Sequence, residues 1–94
     1  MIIVSGFIHV DPDERAGYLE GCRPVIEAAR RTEGCLDFHL SPDLLVTSRI
    51  NVFEQWESVE AVEAFRGSGP SDDQGVAIRD AAVYQHEISS SMRL

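Results

Sequence analysis

The sequence predicts an α+β domain in the order β-α-β-β-α-β: a four-stranded antiparallel sheet with its helices on one face. Three observations lead there. Ile2–Val10, Cys35–Leu40, the first part of Arg49–Ser58, and Val83–Ser89 alternate between two side-chain sets with the period of a strand. The segments after the first and third of these repeat apolar residues at helical spacing. Both helical segments are preceded by start signals, Asp11-Pro12-Asp13-Glu14 and Ser58.

In the first strand Ile2, Val4, Ile8 and Val10 share one parity, with Gly6 between them, and read as packed under helices. Ile3, Ser5, Phe7 and His9 share the other, and His9 reads as a hydrogen-bonded structural residue. Asp11 then suits a cap, Pro12 the first helical position, and Glu14 a capping box. Leu19, Cys22, Val25, Ile26 and Ala29 supply the buried stripe. Pro24 should kink that helix, since it lacks a donor and crowds the preceding turn. Arg30 and Arg31 complement the helix C-terminus, and Gly34 is the expected stop.

In the second strand Leu36, Phe38 and Leu40 alternate with Cys35, Asp37 and His39, until Ser41-Pro42-Asp43 breaks it. Leu44-Leu45-Val46 follows in a loop, too apolar to be left in solvent without a partner. The third strand places Ile50, Val52, Glu54 and Trp56 on one parity, and Ser58 caps a helix bearing Val59, Val62 and Phe65. Gly67-Ser68-Gly69-Pro70 ends that helix as a hinge or lid, and a short helix is expected over Asp72–Arg79. In the fourth strand Tyr84, His86 and Ile88 share one parity, and Val83, Gln85 and Glu87 the other. The complete order is the ferredoxin-like split βαβ pattern. It leaves a second sheet face bearing Ile3, Phe7, Phe53 and Val83, a composition that a second sheet would cover.

At 94 residues the chain reads as one domain, residues 1–94. A chain of this size buries only about 60–65% of its unfolded surface, so oligomerisation would add burial it lacks. The net charge of −8 and the absence of lysine argue against nucleic acid and anionic membranes as partners. No apolar run reaches the length of a membrane span, and no basic segment precedes the first apolar run, so a cytoplasmic location is expected. Cys22 and Cys35 have neither a CxxC partner nor a metal-ligand spacing, so reduced thiols and no metal are expected.

The residue that conflicts with its surroundings is Glu54, a carboxylate on an apolar parity. Such burial is costly unless the group is used or paired. Glu33-Gly34-Cys35 at the start of the second strand, and Phe53-Glu54-Gln55-Trp56-Glu57-Ser58 with Glu60-Ala61 following, resemble the antibiotic biosynthesis monooxygenase family over nearly the whole chain. The resemblance implies a dimeric α/β barrel in which two sheets pack face to face. It also implies a group of enzymes that includes cofactor-free oxygenases of quinols and polyketide anthrones, and relatives that degrade haem. The chain departs from family patterns in three places. Val52 stands where some polyketide oxygenases carry Asn, and Phe65 where many members carry His. No histidine lies between His39 and His86, so the second helix has no iron ligand.

The expected cleft under the helices gathers Glu54, Trp56 and His86 as catalytic candidates, with Phe38, Phe65 and Tyr84 binding substrate. Glu54 or His86 would deprotonate a small aromatic, a hydroquinone or polyketide-like phenol, and its anion would react with O2 without metal or other cofactor. Each residue has a structural alternative: Trp56 as core, Glu54 paired with an arginine such as Arg79, His86 capping a strand end, and Tyr84 as wall. Two classes therefore stand, a cofactor-independent monooxygenase and a non-catalytic ligand-binding or assembly module on the same homodimeric scaffold.

Overall fold

The computed structural model describes residues 1–68 and 78–94. Its elements are β1 (Ile2–His9), a 3-10 turn (Pro12–Glu14), α1 (Arg15–Gly21), α2 (Arg23–Arg30), β2 (Cys35–Pro42), β3 (Arg49–Trp56), α3 (Val59–Ser68) and β4 (Asp80–Glu87). The four strands form one antiparallel sheet in the order β2-β3-β1-β4. This is the expected ferredoxin-like α+β arrangement.

Of the local signals the two caps act, Asp11 on a 3-10 turn rather than on the α-helix itself, while α2 ends at Arg30, short of the expected stop at Gly34. Asp11 Oδ1 accepts from the Asp13 N–H at 2.9 Å, and Ser58 Oγ accepts from the Ala61 N–H at 3.2 Å. The first helix does not merely kink at Pro24; it divides. α1 ends at Gly21, and α2 restarts at Arg23 with Pro24 in its first turn, where a missing N–H costs no helical bond. Gly34 has φ +90, and a Cβ there would stand 2.6 Å from Ala61 Cβ, so glycine both ends the turn and lets β2 enter under α3. Gly6 has φ +150, and a side chain on it would collide with the backbone of Ala82 and Val83 on β4.

One sheet face packs under the helices. Ile2, Val4, Ala29, Phe38, Trp56 and Val62 form one buried cluster, and Ile8, Val10, Tyr18, Cys22 and Ile50 another. Both cysteines are free thiols. No helix among the described residues is long and apolar enough to cross a membrane.

Four expectations change. The register slips between Cys35 and Asp37, so Cys35 lies opposite Trp56 while Leu36 is bulged out and 51% exposed. β2 also continues through Ser41 and Pro42, because it is an edge strand whose outer N–H groups need no ladder partner. On that outer edge the Phe38 N–H donates to Asp37 Oδ1 and the Phe38 carbonyl accepts from Arg30 Nε, both at 2.9 Å. Third, β4 begins at Asp80 rather than Val83: Ala81 and Ala82 carry no pattern of their own and are held by pairing with Ile8 and Phe7. Fourth, that pairing sets Val83 opposite Gly6 and Gln85 opposite Val4, on the helix-covered face. Tyr84 opposite Ser5 and His86 opposite Ile3 lie on the bare one. The bare row is therefore Ile3, Phe7 and Phe53 with Ala82 and Tyr84, and Val83 is not part of it. The expected helix from Asp72 and the Gly69-Pro70 end of the joint fall outside the described residues.

The loop after β2 is tied down although its tip is apolar. Arg15 Nη1 donates to the carbonyls of Asp43, Val46 and Arg49, each at 3.1 Å. The Asp43 carboxylate accepts the Leu45 and Val46 N–H groups at 3.0 and 2.9 Å, and Asn51 Nδ2 at 2.9 Å. These bonds hold the Asp43 carboxyl down at a pKa of about 2, with Arg49 adding to the effect. Leu44 and Leu45 remain 97% and 91% exposed.

Candidate functional site

The third strand carries the centre of the site. Glu54 and Trp56 are two residues apart, so both point to the helix-covered face. Trp56 is fully buried, and its indole N–H donates to Glu54 Oε1 at 3.0 Å. Cross-strand pairing sets Gln85, Val4, Glu54 and Phe38 on one rung spanning all four strands. At the β2 end of that rung three rings pack on one another, among them Trp56, the hydrogen-bond partner of Glu54, and Phe38, its cross-strand neighbour. Phe38 meets Phe65 edge-on at 5.8 Å and Trp56 edge-on at 6.5 Å, and Trp56 lies 5.3 Å from Phe65 at a tilt of 34°. At the β4 end Arg66, in the last turn of α3, donates from Nη1 to Gln85 Oε1 at 3.0 Å.

This environment raises the Glu54 pKa. Burial is the largest cause, because the charged carboxylate loses water; the Trp56 hydrogen bond and the Arg66 charge oppose it without cancelling it. Burial also pushes the Cys35 thiol up, with Glu54 adding to the rise, so Cys35 stays a protonated, unreactive neighbour. The arrangement sets a carboxyl that holds a proton more readily than usual beside an aromatic cluster.

The structure thus brings together Glu54, Trp56, Phe38 and Phe65, and separates Tyr84 and His86 from them by the thickness of the sheet. Those two rings lie 6.5 Å apart on the bare face, with Tyr84 63% exposed. The error was one of parity: the β4 pattern is weak, and only its register against β1 fixes which side faces the helices. The same register puts Gln85 into the site, where the sequence offered no signal for it. Arg66 was also missed, although its position next to Phe65 in a lysine-free chain was a usable clue. Arg79 does not pair with Glu54; its Nη2 reaches Asp11 Oδ2 at 3.3 Å. His9 accords with its structural reading, with Nδ1 at 2.9 Å from Ser48 Oγ and its ring edge-on to Phe7. Among the described residues no cluster of His, Cys, Asp or Glu forms a metal site. A separate groove of about 400 Å³, floored by Leu19, Ile26 and Leu40 beside the β2 edge, does not include Glu54.

Solved structures share this fold at low identity. Rv0793 from Mycobacterium tuberculosis is 21% identical, with 98% of each chain covered and a TM-score of 0.82. A protein from Nitrosomonas europaea assigned as an antibiotic biosynthesis monooxygenase is 13% identical over 96% of this chain and 100% of its own, also at 0.82. The haem degrader MhuD of M. tuberculosis, solved with two haems in its active site, is 17% identical over 99% and 100% of the two chains, at 0.70. No curated protein matches the chain. The family model for antibiotic biosynthesis monooxygenase matches residues 1–73, from β1 through α3 and so across Phe38, Glu54, Trp56 and Phe65. The chain belongs to the antibiotic biosynthesis monooxygenase family.

Proposed function

We propose that the protein is a cofactor-independent monooxygenase of a small phenol, hydroquinone or polyketide-like aromatic, with Glu54 as its general base. The observation that carries this reading is the half-buried Glu54 carboxyl, its pKa raised, hydrogen-bonded to Trp56, whose ring packs with Phe38 and Phe65. The ligand ring stacks among the three aromatic side chains. Glu54 takes the proton as the hydroxyl O–H bond breaks, and the electron pair stays on the ligand as a phenolate conjugated with the ring. That electron-rich anion reduces O2 directly: one oxygen atom ends on a ring carbon, as when a CH2 becomes a carbonyl, and the other leaves as water. The absence of any histidine on α3 favours this chemistry over an iron–haem one. His86, on the opposite face, is assigned no part in the proton transfer.

The working unit in this reading is a homodimer joined through the bare sheet faces. Ile3, Phe7, Phe53 and Ala82 supply apolar surface there, and the acidic strand residues on that face are Asp37 and Asp80, set against Arg49, in a chain of net charge −8. A second copy meets less repulsion on that face than elsewhere.

Oxygen uptake over a panel of hydroquinones and anthrones tests the function. Uptake with stoichiometric product, lost in Glu54→Gln, is expected. A confirmed substrate turned over equally by Glu54→Gln, or no uptake by the dimer with any member of the panel, overturns it.

A further inference from the structure

We propose that the groove between α2 and the β2 edge is a second binding site, for a small monocarboxylate with an apolar body, and that Arg30 holds the carboxylate. The proposal stands apart from the reading of Glu54, which the groove does not include.

The groove has a volume of about 400 Å³, within the roughly 300–1,000 Å³ of small-molecule sites. Three elements supply its floor: Leu19 from α1, Ile26 from α2 and Leu40 from β2. All three are only partly buried and pack against the core cluster around Val10 and Ile50. The floor is therefore backed by packed side chains, and it keeps apolar surface that a ligand would remove from water.

Charge lies along one side. Arg23, Glu27 and Arg30 recur at helical spacing, so α2 sets them in a row beside that floor. The chain carries a net charge of −8, whereas this lining holds two arginines and one glutamate, the reverse of the overall balance. Arg23 donates twice to Glu20, at 2.9 and 3.1 Å, so an acid of the preceding helix meets its charge. His39, on the β2 side, stands 3.7 Å from Asp37. Arg30 is tied differently. Its Nε donates to the Phe38 carbonyl at 2.9 Å, and a carbonyl takes an N–H without taking charge. That bond fixes the guanidinium plane at the groove, and the two Nη groups form the fork that recognises a carboxylate.

The chemistry of the occupant follows. The floor suits an apolar body, and one guanidinium suits one negative charge. Glu27, between the two arginines, repels a ligand with two charges such as phosphate. An extended peptide does not suit the place either. Strand addition is stopped at Phe38, whose N–H goes to Asp37 Oδ1 and whose carbonyl goes to Arg30.

The probes are octanoate, octan-1-ol, which has the same body without the charge, and inorganic phosphate. Binding is read by NMR from the methyl groups of Leu19, Ile26 and Leu40. Octanoate should shift these methyls saturably in the wild type, and phosphate should neither shift them nor displace octanoate. Arg30→Gln should weaken octanoate about tenfold, as loss of a charged donor implies, and leave octan-1-ol within twofold. Glu27→Gln, which keeps Arg30 and removes the opposing charge, should tighten octanoate roughly two- to fivefold without affecting octan-1-ol. Leu19→Ala should weaken both probes alike. The proposal is overturned by octanoate shifts confined to Val62 and the Glu54 cluster, by no saturable shift at all, by displacement with phosphate, or by equal loss of both probes in Arg30→Gln. Should Arg30→Gln fold poorly, Glu27→Gln decides alone, and an unchanged octanoate affinity there overturns it.

Discussion

Trp56 donates its indole N–H to Glu54 Oε1 at 3.0 Å from two positions along the same strand, so one side chain is both wall and hydrogen-bond partner to the candidate base. The bond favours the ionised carboxyl, while burial by the same aromatic cluster favours the protonated one. Ring and carboxyl therefore set each other's chemistry.

Replacing Glu54 should separate activity from stability. A carboxyl whose folded pKa lies above its unfolded value binds extra protons when folded, so stability falls as pH rises through that window and stays lower above it. Glu54→Gln, which keeps an acceptor for Trp56, should melt at the same or a higher temperature than the wild type at pH 7, and the difference should close below the ordinary glutamate range of about 4.3. Turnover should drop about 10²–10⁴-fold. Thermal melts from pH 4 to 8 beside rate measurements check both; a variant that melts lower at pH 7 would mark Glu54 as a structural anchor.

Trp56→Phe keeps most of the packing and removes the donor. The Glu54 pKa should rise further, moving the acid limb of the pH–rate profile upward, as carboxyl NMR titration would also register. Trp56→Ala removes a fully buried ring and should cost about 3–5 kcal/mol. Stability within 1 kcal/mol of wild type would contradict the packing described.

Phe53, stacked on His39 at 5.2 Å and 21° on the bare face, tests the dimer. Phe53→Asp should leave helix content unchanged and convert dimers into monomers or aggregates in sedimentation, because it places an unpaired charge in the interface. A wild type sedimenting as a monomer at micromolar concentration would remove the sheet-to-sheet assembly.

The β2–β3 loop should loosen in acid. The depressed pKa of Asp43, about 2, means its contribution is complete above the ordinary aspartate range and is lost as pH falls from about 4 toward 2. Amide exchange at Leu45 and Val46, whose N–H groups bond the Asp43 carboxylate, should accelerate over that interval and be fast at all pH values in Asp43→Ala. Protection independent of pH would assign the loop's order to Arg15 alone.

Local chemistry made most of the fold legible before any coordinates. The caps at Asp11 and Ser58 and the break at Pro24 act through neighbours in sequence, and the strong alternation of β1 and β3 states which face is buried. Glu54 stood out for the same reason, as a charge on an otherwise apolar parity. What failed depended on partners distant in sequence. Leu36 alternates correctly in sequence and is displaced by a register slip against β3. Tyr84 and His86 are more conspicuous than Gln85, but the helix-facing side of β4 is fixed by Val4 opposite Gln85. A strand that is apolar at neither parity carries no label for its inward side.

The edge residue Phe38 has a consequence for how the protein resists fibre formation. An open sheet has two rims, each a template for a foreign strand. At β2 the Phe38 amide and carbonyl are already taken by Asp37 and Arg30, and Pro42 has no amide to offer, so an incoming strand finds few places to bond. β4 has one such plug among the described residues, the Ala81 N–H taken by Asp80 Oδ1 at 2.9 Å, and neither a proline nor an arginine-bound carbonyl. Runaway stacking, if the protein is concentrated or partly unfolded, should therefore start from the part of the β4 rim beyond Ala81, and Arg30→Ala should create a second starting point on the opposite side.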